Sequence, residues 1–222
     1  MKGIGLFGGT FNPLHIGHLT VARDVKSGFD LEKIVFIPAA IPPHKSADGL
    51  AGALDRHLMI DAAIKRHEGF AVSDVEIRRT GPSYTIDTVR YFRNRLAGSV
   101  PCYLLMGIDA FLEIDTWKSW RRLFDVVPFI VMTRPEAGAG SKAQPSAVLE
   151  TYVHAHVDPG YVWTAQPSCF IHPAKQPVHL FSVTPVDISS TIIRHRIRHG
   201  LSISGMVPES VETYIKEKGL YL

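Results

Sequence analysis

An apolar run that leads directly into a glycine-rich segment is the feature that most restricts how this chain can fold. Residues 4–7 have the length of a buried strand, and residues 8–18 read Gly-Gly-Thr-Phe-Asn-Pro-Leu-His-Ile-Gly-His. Helical spacing of apolar residues follows over 17–29. Backbone N–H groups and the positive end of a helix dipole meet where such a strand hands over to a helix. The segment therefore predicts an α/β fold that binds phosphate groups there.

Strand-like and helix-like segments alternate along the rest of the chain. Further strands are predicted over 34–38, 70–73, 75–77, 102–106, 126–133 and 178–183. Further helices are predicted over 55–67, 85–96, 117–124, 146–156, 190–199 and 208–218. This order predicts a Rossmann-like α/β fold, a doubly wound parallel sheet with helices on both faces. The length fits one domain over residues 1–222, with an insertion or excursion predicted at 135–177, where Gly, Ala, Pro and Ser interrupt the alternation.

Composition restricts the partners and the cellular compartment of the protein more than it restricts the reaction. Hydrophobic residues make up 45% of the chain and the formal net charge is only +3, with the basic residues dispersed. Neither a nucleic-acid partner nor a membrane partner is predicted, because there is no basic block and no apolar run of about 20 residues. Cys102 and Cys169 have no metal-binding spacing, and two distant cysteines do not indicate a disulfide framework. We expect a cytoplasmic protein.

Two histidines in the first segment carry the strongest chemical signal. His15 and His18 are three residues apart, so they share a face if a helix starts there. Imidazoles can donate to phosphate oxygens and stabilise charge in a transition state, and Gly17 would let a ligand approach the backbone. Taken alone, such a pair also fits structural or helix-capping histidines, or a chance metal pair. The glycines and Thr10 upstream favour phosphate binding.

Three other segments have the residue types of a nucleotide site. Residues 187–194 open a helix with three hydroxyl residues and place Arg194 four positions after Ser190, which is typical of a phosphate clamp or of a plain N-cap with a solvated arginine. Lys45 follows two prolines in a stiff loop that could reach an anion or be a surface turn. Further candidates lie at a helix start and just beyond a predicted strand, where α/β folds bind ligands: Tyr84, Thr85, Gly107, Asp109 and Trp117.

Together these motifs resemble the nucleotidyltransferase superfamily, and within it the bacterial nicotinate-nucleotide adenylyltransferase family. The segments that carry the resemblance are residues 8–13, 15–18, 42–45, 82–85, 107–109 with Trp117, and 188–194. They stand in the family's order and extend over the whole chain. Class I aminoacyl-tRNA synthetases share the 15–18 tetrapeptide, but this chain lacks their lysine-rich second signature. The family often has Asp where this chain has Asn12, so a catalytic carboxylate is not expected at that position.

The resemblance implies a reaction in which the 5′-phosphate of nicotinate mononucleotide attacks the α-phosphate of ATP. Deamido-NAD and pyrophosphate would result, with Mg²⁺ bound to ATP rather than in a protein cage. The residues implied in catalysis are His18, His15 and Lys45. Those implied in ATP binding are Gly8, Gly9, Thr10, Phe11, His15, His18, Gly107, Asp109, Ser189, Ser190 and Arg194. Those implied in nicotinate-nucleotide binding are Lys45, Tyr84, Thr85 and Trp117.

Two alternatives stay open at the level of sequence. The acceptor could be nicotinamide mononucleotide or phosphopantetheine, because the sequence does not show how the donors of the acceptor pocket point. The chain could also be an ATP-binding module without catalysis, although such a module has no reason to keep both histidines, Lys45 and Arg194. No interface stripe is identifiable, and a homo-oligomer is compatible with the sequence.

Overall fold

An eight-stranded sheet in the order β3-β2-β1-β4-β5-β8-β7-β6 forms the centre of the structure. This computed structural model describes residues 2–41, 49–96, 100–134 and 144–222. The strands are β1 (Ile4–Gly9), β2 (Lys33–Pro38), β3 (Phe70–Val72), β4 (Cys102–Gly107), β5 (Phe129–Thr133), β6 (Val162–Ala165), β7 (Ser168–Ile171) and β8 (Val178–Ser182). The α-helices are α1 (Ile16–Gly28), α2 (Ala53–Ile64), α3 (Thr85–Arg95), α4 (Ile108–Phe111), α5 (Trp120–Val126), α6 (Pro145–Tyr152), α7 (Ser190–Arg198) and α8 (Glu209–Lys218).

The predicted α/β class is confirmed, with one addition at the edge of the sheet. β2 pairs with β3, β4 with β5, and β5 with β8, all in parallel. β6 and β7 instead pair antiparallel, and β7 is antiparallel to β8. Only two residues separate β6 from β7, and so short a link can join only antiparallel strands, because a parallel pair needs a crossover. The predicted excursion therefore supplies α6 and this hairpin.

Contacts divide the chain into two compact units. The first comprises Met1–Leu6 and Tyr84–Thr184, and the second comprises Phe7–Ser83 and Pro185–Leu222. Strand β1 begins in the first unit and ends in the second. That residues 1–222 form one domain stays a prediction.

The core of the first unit is built on β5 and an aromatic cluster. All five residues of β5 are buried, as expected for a strand flanked by parallel neighbours on both sides. The rings of Phe124 and Phe129 lie 4.6 Å apart between centroids, and Phe111 meets Phe129 edge-on at 5.8 Å. The cluster borders β4, because Phe129 pairs with Leu104 of that strand, which ends at Gly107.

The core of the second unit anchors the end of β1 and joins α2 to α8. Phe36 of β2 packs 5.5 Å from Phe7 between ring centroids. The hydroxyl of Ser210 donates to the carbonyl of Ala62, linking α8 to α2. Among the described residues, no helix has both the length and the apolar character needed to cross a membrane.

Several predicted boundaries differ from the structure, among them the strand predicted from residue 126, which begins at Phe129, and two of the differences have clear local reasons. Residues 75–77, predicted as a strand, form a turn, in which the Ser73 hydroxyl accepts from the Val75 N–H and Asp74 pairs with Arg78. The helix predicted to begin at Trp117 begins at Trp120, because Trp117 has an extended backbone and Ser119 is left-handed with φ of 53°. Trp117 is therefore half-buried, whereas Trp120 is in the core.

Candidate active site

The two glycines at the end of β1 have different structural roles. A Cβ added to Gly8 would meet no atom within 4 Å, so this exposed position leaves room beside the backbone. A Cβ on Gly9 would lie 2.9 Å from Cζ of Phe11, whose own backbone is left-handed with φ of 48°. The Phe11 ring is buried against Phe7, at 5.5 Å between centroids. Phe11, predicted to bind ATP, thus has its ring in the core and only its backbone available to a ligand.

Alanine substitutions should separate these two roles. Gly9→Ala is expected to destabilise the fold by about 1–3 kcal/mol, because the new methyl group overpacks against the Phe11 ring. Gly8→Ala is the matched control and should leave the free energy of unfolding within about 0.5 kcal/mol of wild type. Urea denaturation of both variants measures the difference. Equal destabilisation would contradict the assigned packing role of Gly9.

The loop between β1 and α1, residues 10–15 and called the β1 loop below, is held by its carbonyl groups. Three carbonyl oxygens accept from distant side chains: Thr10 from Nη1 of Arg56 at 2.8 Å, Asn12 from Nη1 of Arg194 at 2.8 Å, and Pro13 from the Ser190 hydroxyl at 2.9 Å. Trans peptide groups are planar, so the N–H that follows a captured carbonyl points the opposite way. This holds for Thr10 and Pro13, whereas Asn12 is followed by a proline, which has no N–H. The N–H groups of Phe11 and Leu14 therefore point away from Arg56 and Ser190. The negative ends of these peptide dipoles face the protein, which suits the loop to an anion.

Arg56, which supports this loop through the Thr10 carbonyl, was not anticipated from the sequence. Its side chain is fully buried, and it also donates from Nε to the Ala51 carbonyl at 3.0 Å and from Nη2 to the Ala40 carbonyl at 3.3 Å. Burial lowers the pKa of Arg56 from its ordinary value by penalising the charged form. One signal was available, since Arg56 shares the apolar face of α2 with Met59 and Ile60 at helical spacing.

The histidine pair lies at the start of α1. His15 is the N-cap residue, and the two imidazole rings lie 3.7 Å apart between centroids. The His15 backbone N–H donates to Nδ1 of His18 at 3.2 Å. An accepting Nδ1 puts the proton of the neutral ring on Nε2, which is therefore a hydrogen-bond donor. The two histidines therefore do cap the helix, as the capping interpretation states. The same capping bond leaves Nε2–H of His18 as a donor.

Gly17 has a structural role beside the predicted one. A Cβ at this position would lie 3.0 Å from Nδ1 of His15 and 3.6 Å from Cβ of Val186. The His15 ring occupies the space that a side chain at this position would need. Gly17 therefore allows His15 to stack against His18.

The start of α7 uses its hydroxyl groups internally. Ser189 is the N-cap and accepts from the Ile192 N–H at 3.2 Å, while Nη2 of Arg194 donates to the Thr191 hydroxyl at 3.3 Å. Ser190 is committed to the β1 loop through Pro13. The predicted N-cap is present, but Arg194 is bonded to the Asn12 carbonyl and not simply solvated.

The first unit contains the other predicted residues that the structure describes. Tyr84 is the N-cap of α3 and Thr85 its first residue, with no capping hydrogen bond from the Tyr84 side chain. Lys118, which the sequence did not single out, places Nζ 4.1 Å from the Tyr84 ring centroid and 3.9 Å from Oδ2 of Asp87. Trp117 precedes it. The cation adds a positive charge beside the predicted pocket residues.

Gly107 ends β4 and Asp109 comes two residues later, as expected for a ligand-binding position. Gly107 is the N-cap of the short helix α4, and a Cβ there would meet nothing within 4 Å. Asp109 is exposed. Lys45 and the rest of its loop at 42–48 lie outside the described residues, as do residues 135–143.

The donor set suits phosphate groups better than a bound metal ion. His18 offers an N–H, and Arg194 carries a positive charge. Across residues 2–41, 49–96, 100–134 and 144–222, no three His, Cys, Asp or Glu side chains are grouped so as to hold a metal.

Comparison with known proteins first defines the class. The family model described as cytidylyltransferase-like matches residues 6–196. A "Probable nicotinate-nucleotide adenylyltransferase" of Desulfatibacillum aliphaticivorans is 40% identical over 227 residues, which cover 99% of each chain. A relative with the same name from Geotalea uraniireducens (strain Rf4) is 36% identical over 98% of this chain and 97% of its own. The chain belongs to the nicotinate-nucleotide adenylyltransferase family, as the resemblance predicted.

Solved structures agree on the fold. The structure "Plasmodium falciparum nicotinic acid mononucleotide adenylyltransferase complexed with NaAD" aligns with a TM-score of 0.71. The alignment covers 100% of this chain and 98% of that one at 18% sequence identity. At this level of identity the match establishes a shared fold.

Proposed function

We propose that this chain transfers the adenylyl group of ATP to nicotinate mononucleotide, giving deamido-NAD and pyrophosphate. An oxygen of the mononucleotide 5′-phosphate attacks the α-phosphorus of ATP, and the bond from that phosphorus to the bridging oxygen of the β-phosphate breaks. Pyrophosphate leaves with the electron pair. Such a displacement needs mainly positioning and stabilisation of phosphate charge, which is what the described residues offer.

The observation that carries the proposal is the hydrogen bond from the His15 N–H to Nδ1 of His18. It fixes the Nε2–H of His18 as a donor at the start of α1, beside a loop whose carbonyls are turned inward. We assign this donor to the non-bridging oxygens of the α-phosphate, where charge grows in the transition state. His15 stacks against it and supports its orientation.

The remaining nucleotide contacts follow from position. Gly8, Gly9, Thr10 and the Phe11 backbone would receive the phosphates, because Gly8 leaves open space beside the chain. Arg194 and the start of α7, with Ser189 and Ser190, would face the β- and γ-phosphates, with Lys45 as a further cation. Gly107 and Asp109 would lie beside the adenosine.

Magnesium enters this proposal as part of the substrate, the Mg²⁺ complex of ATP. When bound there, the ion neutralises phosphate charge and keeps several waters of its own. The described residues supply N–H donors and a guanidinium to the same phosphates.

The acceptor pocket is assigned to Tyr84, Thr85 and Trp117, with Lys118 added from the structure. The ammonium of Lys118 lies over the Tyr84 ring, where a cation is attracted by the π electrons. A positive charge there favours the carboxylate of nicotinate over the neutral amide of nicotinamide. Asp87, at 3.9 Å from Nζ, holds the ammonium in place while offsetting part of its charge.

Removing that charge should weaken acid selectivity. Lys118→Met is expected to lower the ratio of kcat/KM for nicotinate mononucleotide over nicotinamide mononucleotide about fivefold, as a half-exposed charge contributes about 1 kcal/mol. Lys118→Arg keeps the charge and should retain most of the ratio. Steady-state kinetics with both mononucleotides make the comparison. An unchanged ratio in Lys118→Met would remove Lys118 from the pocket.

A pyrophosphate-release assay tests the proposed function. With ATP and nicotinate mononucleotide, wild-type protein should release one pyrophosphate for each deamido-NAD formed, and no release should follow when the mononucleotide is omitted. ATP binding without release would instead indicate a non-catalytic ATP-binding module. Release with phosphopantetheine but not with the mononucleotide would show that the acceptor is assigned incorrectly.

We also place the protein in the cytoplasm, with self-association into a homo-oligomer kept as a prediction. Cys102 and Cys169 are buried free thiols, as is common in a reducing compartment. Burial raises the pKa of Cys102 to about 12 and that of Cys169 to about 11, so neither thiol is reactive at neutral pH.

A further inference from the structure

Tyr221 reaches the phosphate-binding loop from the opposite end of the sequence. Helix α8 ends at Gly219 in a left-handed conformation with φ of 59°, and Tyr221 is itself left-handed with φ of 69°. These turns send the Tyr221 ring inward, where its side chain is buried. Its hydroxyl donates to Oδ1 of Asn12 at 2.8 Å, across 209 positions of sequence.

Asn12 is held at both ends of its amide. Oδ1 also accepts from the Ala51 N–H at 3.0 Å, and Nδ2 donates to the Gly49 carbonyl at 2.8 Å. The side chain is buried, so each of these bonds is costly to break. An aspartate here could accept from Tyr221 and Ala51 but could not donate to Gly49. This chain's own contacts therefore account for asparagine at this position.

The fixed side chain determines the direction of the Asn12 backbone. The Asn12 carbonyl accepts from Nη1 of Arg194 at 2.8 Å, so the residue that Tyr221 holds is also the residue that orients Arg194. Burial raises the pKa of Tyr221 far above its ordinary value, against the opposing effect of the Arg56 and Arg194 charges. The hydroxyl therefore keeps its proton and remains a donor across the working pH range.

We propose that Tyr221 is a positioning residue for adenylyl transfer, whose hydroxyl holds Asn12 and through it sets the β1 loop and Arg194 for ATP. The inference rests on the proposed function for its kinetic readout. Tyr221, which lies far from the motifs in sequence, would then affect the use of ATP but not the binding of the mononucleotide. A residue that merely packed the core would affect stability without affecting ATP.

A second tyrosine in the same region provides a matched control. Tyr214 of α8 also donates its hydroxyl to a side chain, Oδ1 of Asp55, at 2.9 Å. Burial, with the Asp55 hydrogen bond next, raises its pKa to about 12. Tyr214→Phe and Tyr221→Phe each delete one hydroxyl and one hydrogen bond, but only Tyr221 contacts Asn12.

The test compares steady-state kinetics and melting temperatures of the two variants. Tyr221→Phe should lower kcat/KM for ATP about 3- to 10-fold, the effect of one hydrogen bond, and leave KM for nicotinate mononucleotide unchanged. Tyr214→Phe should lower Tm to a similar extent with both kinetic parameters within twofold of wild type. The proposal is overturned if Tyr221→Phe lowers Tm without lowering kcat/KM for ATP. It is also overturned if both variants lower kcat/KM for ATP to the same extent.

A double-mutant cycle then tests whether Tyr221 acts through Asn12. In an Asn12→Ser background, Tyr221→Phe should cause no further loss of kcat/KM for ATP, whereas fully additive losses would contradict the route through Asn12. If Asn12→Ser does not fold, the comparison of Tyr221→Phe with Tyr214→Phe still tests the positioning role of Tyr221. Calorimetric binding of a non-hydrolysable ATP analogue provides a readout that does not require transfer. An inactive wild-type protein would refute the proposed function, and a loss of analogue affinity confined to Tyr221→Phe would still support the positioning role.

Discussion

His18→Ala is expected to lower kcat for adenylyl transfer about 10²- to 10³-fold, or roughly 3–4 kcal/mol, the usual effect of removing one preorganised donor from a developing charge. The reason lies in the His15 N–H bond to Nδ1, which leaves Nε2–H as the donor. KM for ATP should change less, because the contact strengthens in the transition state. Steady-state kinetics with saturating substrates measure the effect.

Two further substitutions make this result interpretable. His18→Gln places an amide N–H near the position of Nε2 and should recover part of the lost kcat. His199→Ala removes an exposed imidazole beyond the far end of α7 and should retain wild-type kcat. A folded His18→Ala protein with near-wild-type turnover would show that His18 is only a capping residue.

Arg56→Ala is expected to destabilise the protein by about 3–5 kcal/mol. The substitution leaves a cavity at a fully buried position and removes the donors to three carbonyl oxygens, those of Thr10, Ala40 and Ala51. Because the Thr10 carbonyl belongs to the β1 loop, ATP affinity should fall as well. Chemical denaturation and calorimetric binding of an ATP analogue measure the two effects.

The control for Arg56 is an arginine with an ion pair at the surface. Arg78 pairs with Asp74, but its side chain is 80% exposed, so Arg78→Ala should cost less than about 1 kcal/mol. Arg56→Lys keeps the charge but cannot reach three carbonyls from one nitrogen. Its loss in the free energy of unfolding should lie between those of the two alanine variants. A loss below about 1 kcal/mol in Arg56→Ala would contradict the assigned role of Arg56.

Local sequence patterns predicted the fold class because the alternating strands and helices outside the β6–β7 hairpin carry periodic signals. The β1 run, the glycine-rich loop and the α1 face lie together in sequence, so their arrangement could be anticipated. The hairpin of β6 and β7 could not be anticipated, since its strands have only four residues each and carry little apolar alternation. Turn chemistry at Ser73 and the left-handed Ser119 likewise overrode the apolar patterns beside them.

The residues of the candidate site that lie in local motifs could be predicted from the sequence. The distant residues that hold those motifs in place could not. His15 and His18 were identified by spacing, but their hydrogen bond, which fixes the donor atom, depends on three-dimensional geometry. The partners of Asn12 lie 37, 39 and 209 positions away, a separation that no local pattern encodes. The serines of α7 were expected to face phosphate. The structure adds that the Ser189 hydroxyl accepts from the Ile192 N–H and that the Ser190 hydroxyl donates to the Pro13 carbonyl, 177 positions away.

The central claim, adenylyl transfer from ATP to nicotinate mononucleotide, is tested most directly by a competition measured at the product. Wild-type protein is incubated with Mg²⁺, ATP and equal concentrations of nicotinate and nicotinamide mononucleotides, and the dinucleotides are quantified by mass spectrometry. Deamido-NAD should form in large excess over NAD, with pyrophosphate equal to their sum. NAD as the main product, or ATP consumed without any dinucleotide, would contradict the account.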